Sequence, residues 1–244
     1  MRPGRFGTTK LLFLQYHANT MIKINKFDLL VSVYIFCIVA SELMGGKTFF
    51  LFTVGGFTLN ASVAIFLLPL VFTINDIITE VHGKERARSV VRSGLVVIFF
   101  ILLFSLLATY LPPSKRFAAT EPAYDAIFII SARISLASLF AFALAEFLDV
   151  FIFSVIRQKL GSRALWLRNN VSNFVSQFVD TTVFMFLAFY ALDKDVTSNV
   201  TFLVSLIVPY WILKCTMSVL ETPFVYLGVK WLRTDAITDR ITLK

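Results

Sequence analysis

The chain has 244 residues, 57% of them hydrophobic and 16% charged, with a mean hydropathy of +0.79. That is too apolar for an ordinary soluble domain, and the apolar residues come in runs long enough to cross a bilayer. The net charge of +8 does not indicate a nucleic-acid partner, because the basic residues cluster in short loops between apolar runs, where they orient a membrane protein.

Residues 1–26 carry Arg2, Arg5, Lys10, Lys23 and Lys26 and no acid. The apolar piece Leu11 to Leu14 is too short for a signal-peptide core. An acid-free basic start also fits an organellar transit peptide. Met21 opens a more usual start, MIKINKFDLL, so residues 1–20 are expected to be a disordered extension or an upstream start-site artefact, and 1–26 as a whole is expected to be a basic, disordered N-terminal extension. A transmembrane domain is expected over 27–232 and a cytoplasmic tail over 233–244.

The first span is expected at 27–43. The following GGKTFFLFTVGGFTLN has glycine pairs that break a helix, which suggests a re-entrant or interfacial segment. A second span at 61–81 ends in TINDIITEVHG, where Asp76 and Glu80 share a helical face. A basic loop over 82–93 follows. The third span, 94–111, is almost featureless and stops at Pro112 and Pro113. The fourth, 126–156, bears Arg133, Glu146 and Asp149, and the two acids, three residues apart, lie on one face. A loop with Arg157, Lys159, Arg163 and Arg168 leads to the fifth span, which ends near Tyr190. There Asn169, Asn173, Ser176, Gln177, Asp180 and Thr181 fall within an arc of roughly 140°, and valines and phenylalanines fill the rest. This is an inside-out amphipathic helix, apolar toward lipid and polar toward a partner. The sixth span, 200–229, holds Lys214 and, two turns on, Glu221, with Pro209 and Pro223 able to kink it.

The expected fold is therefore an all-α bundle of six transmembrane helices. Six spans with both termini cytoplasmic put every strongly basic loop on the inner side. Asp180 is 12 residues from Arg168, a depth of roughly 18 Å. Glu146 and Glu221 come out at similar depths, so these acids are expected to converge near the midplane, where transporters commonly hold solutes. A carboxylate in hydrocarbon costs about 2.5 kcal/mol or more, so such a set suggests a polar site inside the bundle. The competing reading is mutual structural pairing, such as Lys214 with Asp180 or Glu146.

No H-E-x-x-H, G-x-S-x-G or phosphate-binding glycine loop occurs, so no enzymatic activity is expected. The only histidines, His17 and His82, fall outside the expected membrane core. No cofactor or metal is expected. Cys37 and Cys215 lie in apolar runs without a C-x-x-C pairing and read as reduced, packed side chains.

The segments DIITEVHG, ARISLASLFAFALAEFLDVFIF, NNVSNFVSQFVDTTVFMFLAFY and WILKCTMSVLETP resemble those of the queuosine precursor transporters, a vitamin-uptake-transporter family of six-helix inner-membrane proteins. The resemblance runs over about 27–232. It covers the motif positions Asp76, Arg133, Asp149, Asp180 and Lys214, with Glu80, Glu146 and Gln177 matching one branch. The implied solutes are 7-deazaguanine bases such as 7-cyano-7-deazaguanine and its aminomethyl relative. Their N1–H and 2-amino edge offers two parallel donors that one carboxylate can accept, and the 6-oxo group accepts from an Asn, a Gln or a Lys. The flat ring can stack on Trp211, Phe147, Phe174 or Phe178.

The residues expected at a substrate site are thus Asp76, Glu80, Arg133, Glu146, Asp149, Asn173, Gln177, Asp180, Lys214 and Glu221. The expected partners are the lipid bilayer and the small-molecule solute, with protons open as a coupling ion and a homo-oligomer also open. The alternatives are a substrate-binding membrane subunit of an ATPase-driven vitamin importer, and a membrane enzyme acting on a lipid-linked substrate.

Overall fold

The computed structural model describes residues 25–160 and 165–242. Within them, the side chains at 149–150, 153–154, 156–160, 165–173, 217–220 and 234–242 lie outside the description.

Helix α1, Lys26–Met44, starts at Asn25, whose Oδ1 accepts from the Phe27 N–H at 2.8 Å and satisfies one of the orphan donors of a helix start. Its C-terminus leads into a β-hairpin, β1 (Thr48–Val54) and β2 (Phe57–Ser62). The strands pair antiparallel from Thr48 opposite Ser62 to Val54 opposite Phe57. Gly55 and Gly56 both take positive φ, 57° and 84°, which is what a tight two-residue hairpin turn requires. The register shifts between Phe50 and Phe52, leaving Leu51 as the extra residue. The glycines at 45–46 do end the helix, as expected, and the segment that follows is an ordered hairpin.

A short 3-10 turn, Val63–Phe66, joins the hairpin to α2, Leu68–His82. Gly83, at φ 84°, separates α2 from α3, Lys84–Tyr110. The basic stretch expected as a loop over 82–93 is thus mostly the first turns of α3. Pro112 and Pro113 follow α3, as expected. Helix α4, Glu121–Leu160, has 40 residues, about 60 Å at 1.5 Å per residue, and so projects beyond a bilayer core of about 30 Å. Helix α5 is Leu165–Phe189 and α6 is Val196–Leu220, with Pro209 inside it. Helix α7, Thr222–Thr242, follows after one residue, Glu221. The sixth span is thus two helices rather than one: Pro223 lacks an N–H and suits a helix start better than a helix interior.

Among the described residues, five helical segments are long and apolar enough to cross a membrane: Lys26–Met44, Val63–His82, Lys84–Tyr110, Glu121–Leu148 and Val196–Thr216. A shorter apolar segment, Phe174–Phe189, lies in α5. The outside carries a belt of exposed apolar side chains, including Phe36, Phe100, Phe104, Phe140 and Phe186, as a lipid-facing surface demands. The chain is an all-α membrane bundle with one inserted hairpin.

Three apolar clusters frame the interior among the described residues, the smallest being Ile134, Ala137 and Ala188 between α4 and α5. Tyr34, Ile74, Ile78, Ala87 and Val90 join α1, α2 and α3. At Gly94 a Cβ would meet Ile38 Cδ1 at 2.5 Å, so glycine lets α3 close on α1. Ala61, Met185, Leu203, Leu206 and Tyr210 pack β2 against α5 and α6. Hydrogen bonds fix the hairpin there: Asn60 Nδ2 donates to Ser205 Oγ (2.9 Å), Ser62 Oγ to the Gly45 carbonyl (2.5 Å), and Tyr210 OH to the Ser62 carbonyl (3.2 Å).

Candidate functional site

Helix α5 brings the polar groups inward. Ser176 and Thr181 are buried while Phe174 and Phe178 face outward, so the described part of the stripe has the inside-out polarity expected of it. Across from it, α6 presents Lys214. Its Nζ donates to Asp180 Oδ2 at 2.7 Å and to Thr181 Oγ1 at 2.9 Å. The side chains of Lys214 and Asp180 are 12% and 29% exposed. The pairing of Lys214 with Asp180, rather than with Glu146, is thus present in the structure.

These groups line a cavity of about 240 Å³ bounded by α1 to α6. Its wall also holds a residue that sequence reasoning passed over, Glu42, near the end of α1. Glu42 is 5% exposed. Its Oε2 accepts from Ser135 Oγ at 3.0 Å, and Ser138, also on α4, supplies a second hydroxyl. Among the described residues Glu42 has no ion-pair partner. The cavity wall therefore holds both a tied Lys–Asp pair and a carboxyl group bonded to hydroxyls alone. The aromatic rings at its wall are Phe142, Phe184 and Tyr210. The rings expected to stack lie elsewhere: Trp211 meets Phe174 and Phe178 edge-on at 4.9 and 5.4 Å, and Phe147 stacks on Phe151. A cavity of this size, mostly apolar with a few convergent polar groups, is built for a small molecule.

The other sequence-predicted residues separate into groups. Asp76, Glu80 and Glu221 line a second cavity, of about 340 Å³, between α2 and the start of α7. Glu221 thus lines a different cavity from Asp180, at the break between α6 and α7. Arg133 lines neither cavity. Its Nε and Nη2 donate to the carbonyls of Leu187 (2.7 Å) and Tyr190 (2.6 Å), capping the C-terminus of α5, where a cation meets the negative end of the helix dipole. Glu146 is exposed on α4. Gln177 lies one turn before Thr181, whose hydroxyl donates to its carbonyl at 2.9 Å. The side chains of Asp149 and Asn173 lie outside the described residues. Among the described residues no group of three or more His, Cys, Asp or Glu could hold a metal ion.

Buried and half-buried ionisable groups around a cavity, inside a bundle whose outer surface is apolar, define a polytopic membrane protein that handles a polar small molecule. Residues 62–228 match the family described as "Putative vitamin uptake transporter". A protein of Bacillus subtilis named "Probable queuosine precursor transporter" is 31% identical over 188 residues, 75% of this chain and 78% of its own length. The "Queuosine precursor transporter" of Escherichia coli is 30% identical over 51% of this chain and 53% of its own length. A "Probable queuosine precursor transporter" of Haemophilus influenzae is 27% identical over 55% of this chain and 54% of its own length. No solved structure matches the fold. The chain belongs to the vitamin uptake transporter family, and is a multi-pass transporter of the inner membrane.

Proposed function

We propose that this protein imports queuosine precursors, 7-deazaguanine bases such as 7-cyano-7-deazaguanine or its aminomethyl relative, through the cavity between Glu42 and Lys214. The observation that carries this reading is the buried Glu42 carboxylate facing the same cavity as the Lys214–Asp180 pair. A guanine-like edge has two parallel donors, N1–H and the 2-amino group, and a carboxylate accepts both. The adjacent 6-oxo group needs a donor, which Lys214 offers. Phe142, Phe184 and Tyr210 supply flat apolar surface for the ring. The names of the relatives support the solute class. The working domain is 27–232, oriented with both termini in the cytoplasm by its basic segments.

Cells expressing this protein alone are expected to take up labelled 7-cyano-7-deazaguanine above empty-vector cells. Uptake that appears only with an added ATPase module would favour the importer-subunit reading instead. Asp180→Asn replaces an acceptor by a donor, and loss of a charge-assisted hydrogen bond costs about 1.5–3 kcal/mol, roughly 10- to 150-fold in affinity. Normal membrane abundance with lost binding in that variant supports the site. Equal loss of both would mean that the Lys214–Asp180 pair is purely structural. For orientation, a reporter active only outside the cytoplasm should be silent after Lys244 and active at Thr120.

A further inference from the structure

The second cavity carries a different chemistry from the first. Glu221 occupies the break between α6 and α7, is 6% exposed, and has its Oε2 enclosed without a hydrogen-bond partner. Its carboxyl lies against that of Asp76 on α2, and both line the cavity with Glu80, Tyr226 and Arg233. Two carboxylates in contact repel, and neither offers a donor. A single proton shared between them converts that repulsion into a hydrogen bond.

The neighbouring charges leave the pair to itself. From α2, Glu80 faces Arg233 of α7, with Nη2 and Oε1 3.6 Å apart and both side chains more than half exposed. Helix α1 brings Lys26 to α7, where its Nζ donates to the Trp231 carbonyl at 2.8 Å. Among the described residues no cation stands within ion-pair distance of Asp76 or Glu221. A metal ion would need further ligands, whereas a proton needs only these oxygens.

We propose that Asp76 and Glu221 form a proton-binding site that loads and releases one proton in each transport cycle, coupling solute movement to the proton gradient. The coupling rests on the transport reading above; the proton site itself does not. Water on one side gives the proton, one carboxylate becomes a carboxylic acid, and the proton leaves to water on the other side. The connection to the solute cavity is short. Lys214 is seven residues before Glu221 on α6, roughly 10 Å along the helix. Helix α7 docks on α2 so closely that a Cβ at Gly228 would come within 2.2 Å of Ile77 Cδ1. With the proton bound, the joined carboxyls hold α7 on α2. Without it, their repulsion loosens that contact at the very end of the helix that carries Lys214.

The test uses the full-length protein, purified in detergent and reconstituted in proteoliposomes. Infrared spectra of the solute-free protein are expected to show a protonated-carboxyl band that titrates with pH and is lost in both Asp76→Asn and Glu221→Gln. Absence of the band in the parent protein, or its persistence in both variants, overturns the proposal. In proteoliposomes, an inside-alkaline gradient of one pH unit is expected to drive accumulation of labelled 7-cyano-7-deazaguanine by about tenfold at one proton per solute. A protonophore, or either variant, should reduce this to simple equilibration. Accumulation driven by a sodium gradient instead, or equilibration alone in the parent protein, overturns the coupling. If the parent protein does not move this base at all, the solute assignment fails, and the infrared titration decides the proton site independently.

Discussion

Glu42 and Glu221 are both acids at the ends of apolar helices, and both are less than a tenth exposed, yet their neighbours are opposite. Glu42 meets donors, the hydroxyls of Ser135 and Ser138. Glu221 meets another acid, Asp76, and keeps one oxygen with no partner. Burial alone therefore does not say what an intramembrane acid does. A carboxylate among donors is a fixed recognition element, ready for further donors from a solute. A carboxylate against a carboxylate needs a proton before the packing is comfortable.

The largest expected effect breaks the first cavity. Lys214→Met leaves the partly buried Asp180 without its cation; breaking a fully buried pair costs about 3–5 kcal/mol, an upper bound for this half-screened one. Thermal unfolding in detergent should shift down markedly, and the double variant Lys214→Met with Asp180→Leu should recover stability while failing to bind solute. Recovery of binding in the double variant would remove the pair from the site. Next, Glu42→Gln keeps size and serine contacts but gives up one acceptor, so affinity for the base should fall roughly 10- to 150-fold. That loss should appear in equilibrium binding without any gradient, whereas Glu221→Gln should show its defect only in gradient-driven uptake. The same phenotype in both variants would erase the distinction between the two acids.

Packing of the second cavity is tested by Gly228→Ala. The added Cβ meets Ile77 Cδ1 and Cγ1 at 2.2 and 2.8 Å, and overpacking of this kind costs about 1–3 kcal/mol. Ile77→Ala should restore part of the lost thermal stability. The smallest effect is expected at Arg133, which touches neither cavity. Arg133→Gln removes a favourable charge from the end of α5, worth about 0.3–1 kcal/mol and up to about 2 kcal/mol. Melting temperature should fall slightly while the dissociation constant for solute stays unchanged; a large change in affinity would bring Arg133 back into the site.

The sequence made some of this legible and hid the rest for identifiable reasons. The α5 stripe was readable because Ser176, Gln177, Asp180 and Thr181 repeat at helical spacing within an apolar run, and that pattern has one structural solution in lipid. The Lys214–Asp180 pair could be anticipated because few cations lie inside the apolar runs. Glu42 was overlooked because it stands beside the end of an otherwise unremarkable span, and its importance comes from Ser135 and Ser138, about 90 residues away in the chain. The hairpin had a readable signal, Gly55-Gly56 between strand-favouring FFLFTV and FTLN. In a membrane protein those glycines also read as helix breakers. The separation of Glu221 from Asp180 followed from a one-residue break before Pro223, a boundary that hydropathy does not mark. Arg133 looked like a site residue because a cation in an apolar helix is costly, and its actual partners are backbone carbonyls, which no sequence pattern reveals.

The hairpin also has a mechanical consequence. Ser62 is bonded to Gly45 and Tyr210, and Asn60 to Ser205, so the end of α1, the hairpin and α6 are tied into one block. Arg133 joins α4 to the end of α5 and makes a second. Among the described residues, the bonds that bridge the blocks include Ser131 to the Leu43 carbonyl, Ser135 to Glu42, and Lys214 to Asp180 and Thr181. Apart from the first, these belong to the cavity itself. An occupant that binds Glu42 and Lys214 uses the donor and acceptor capacity that the clasp between its walls leaves over, so filling the chamber and fastening it draw on the same ammonium and the same carboxylate.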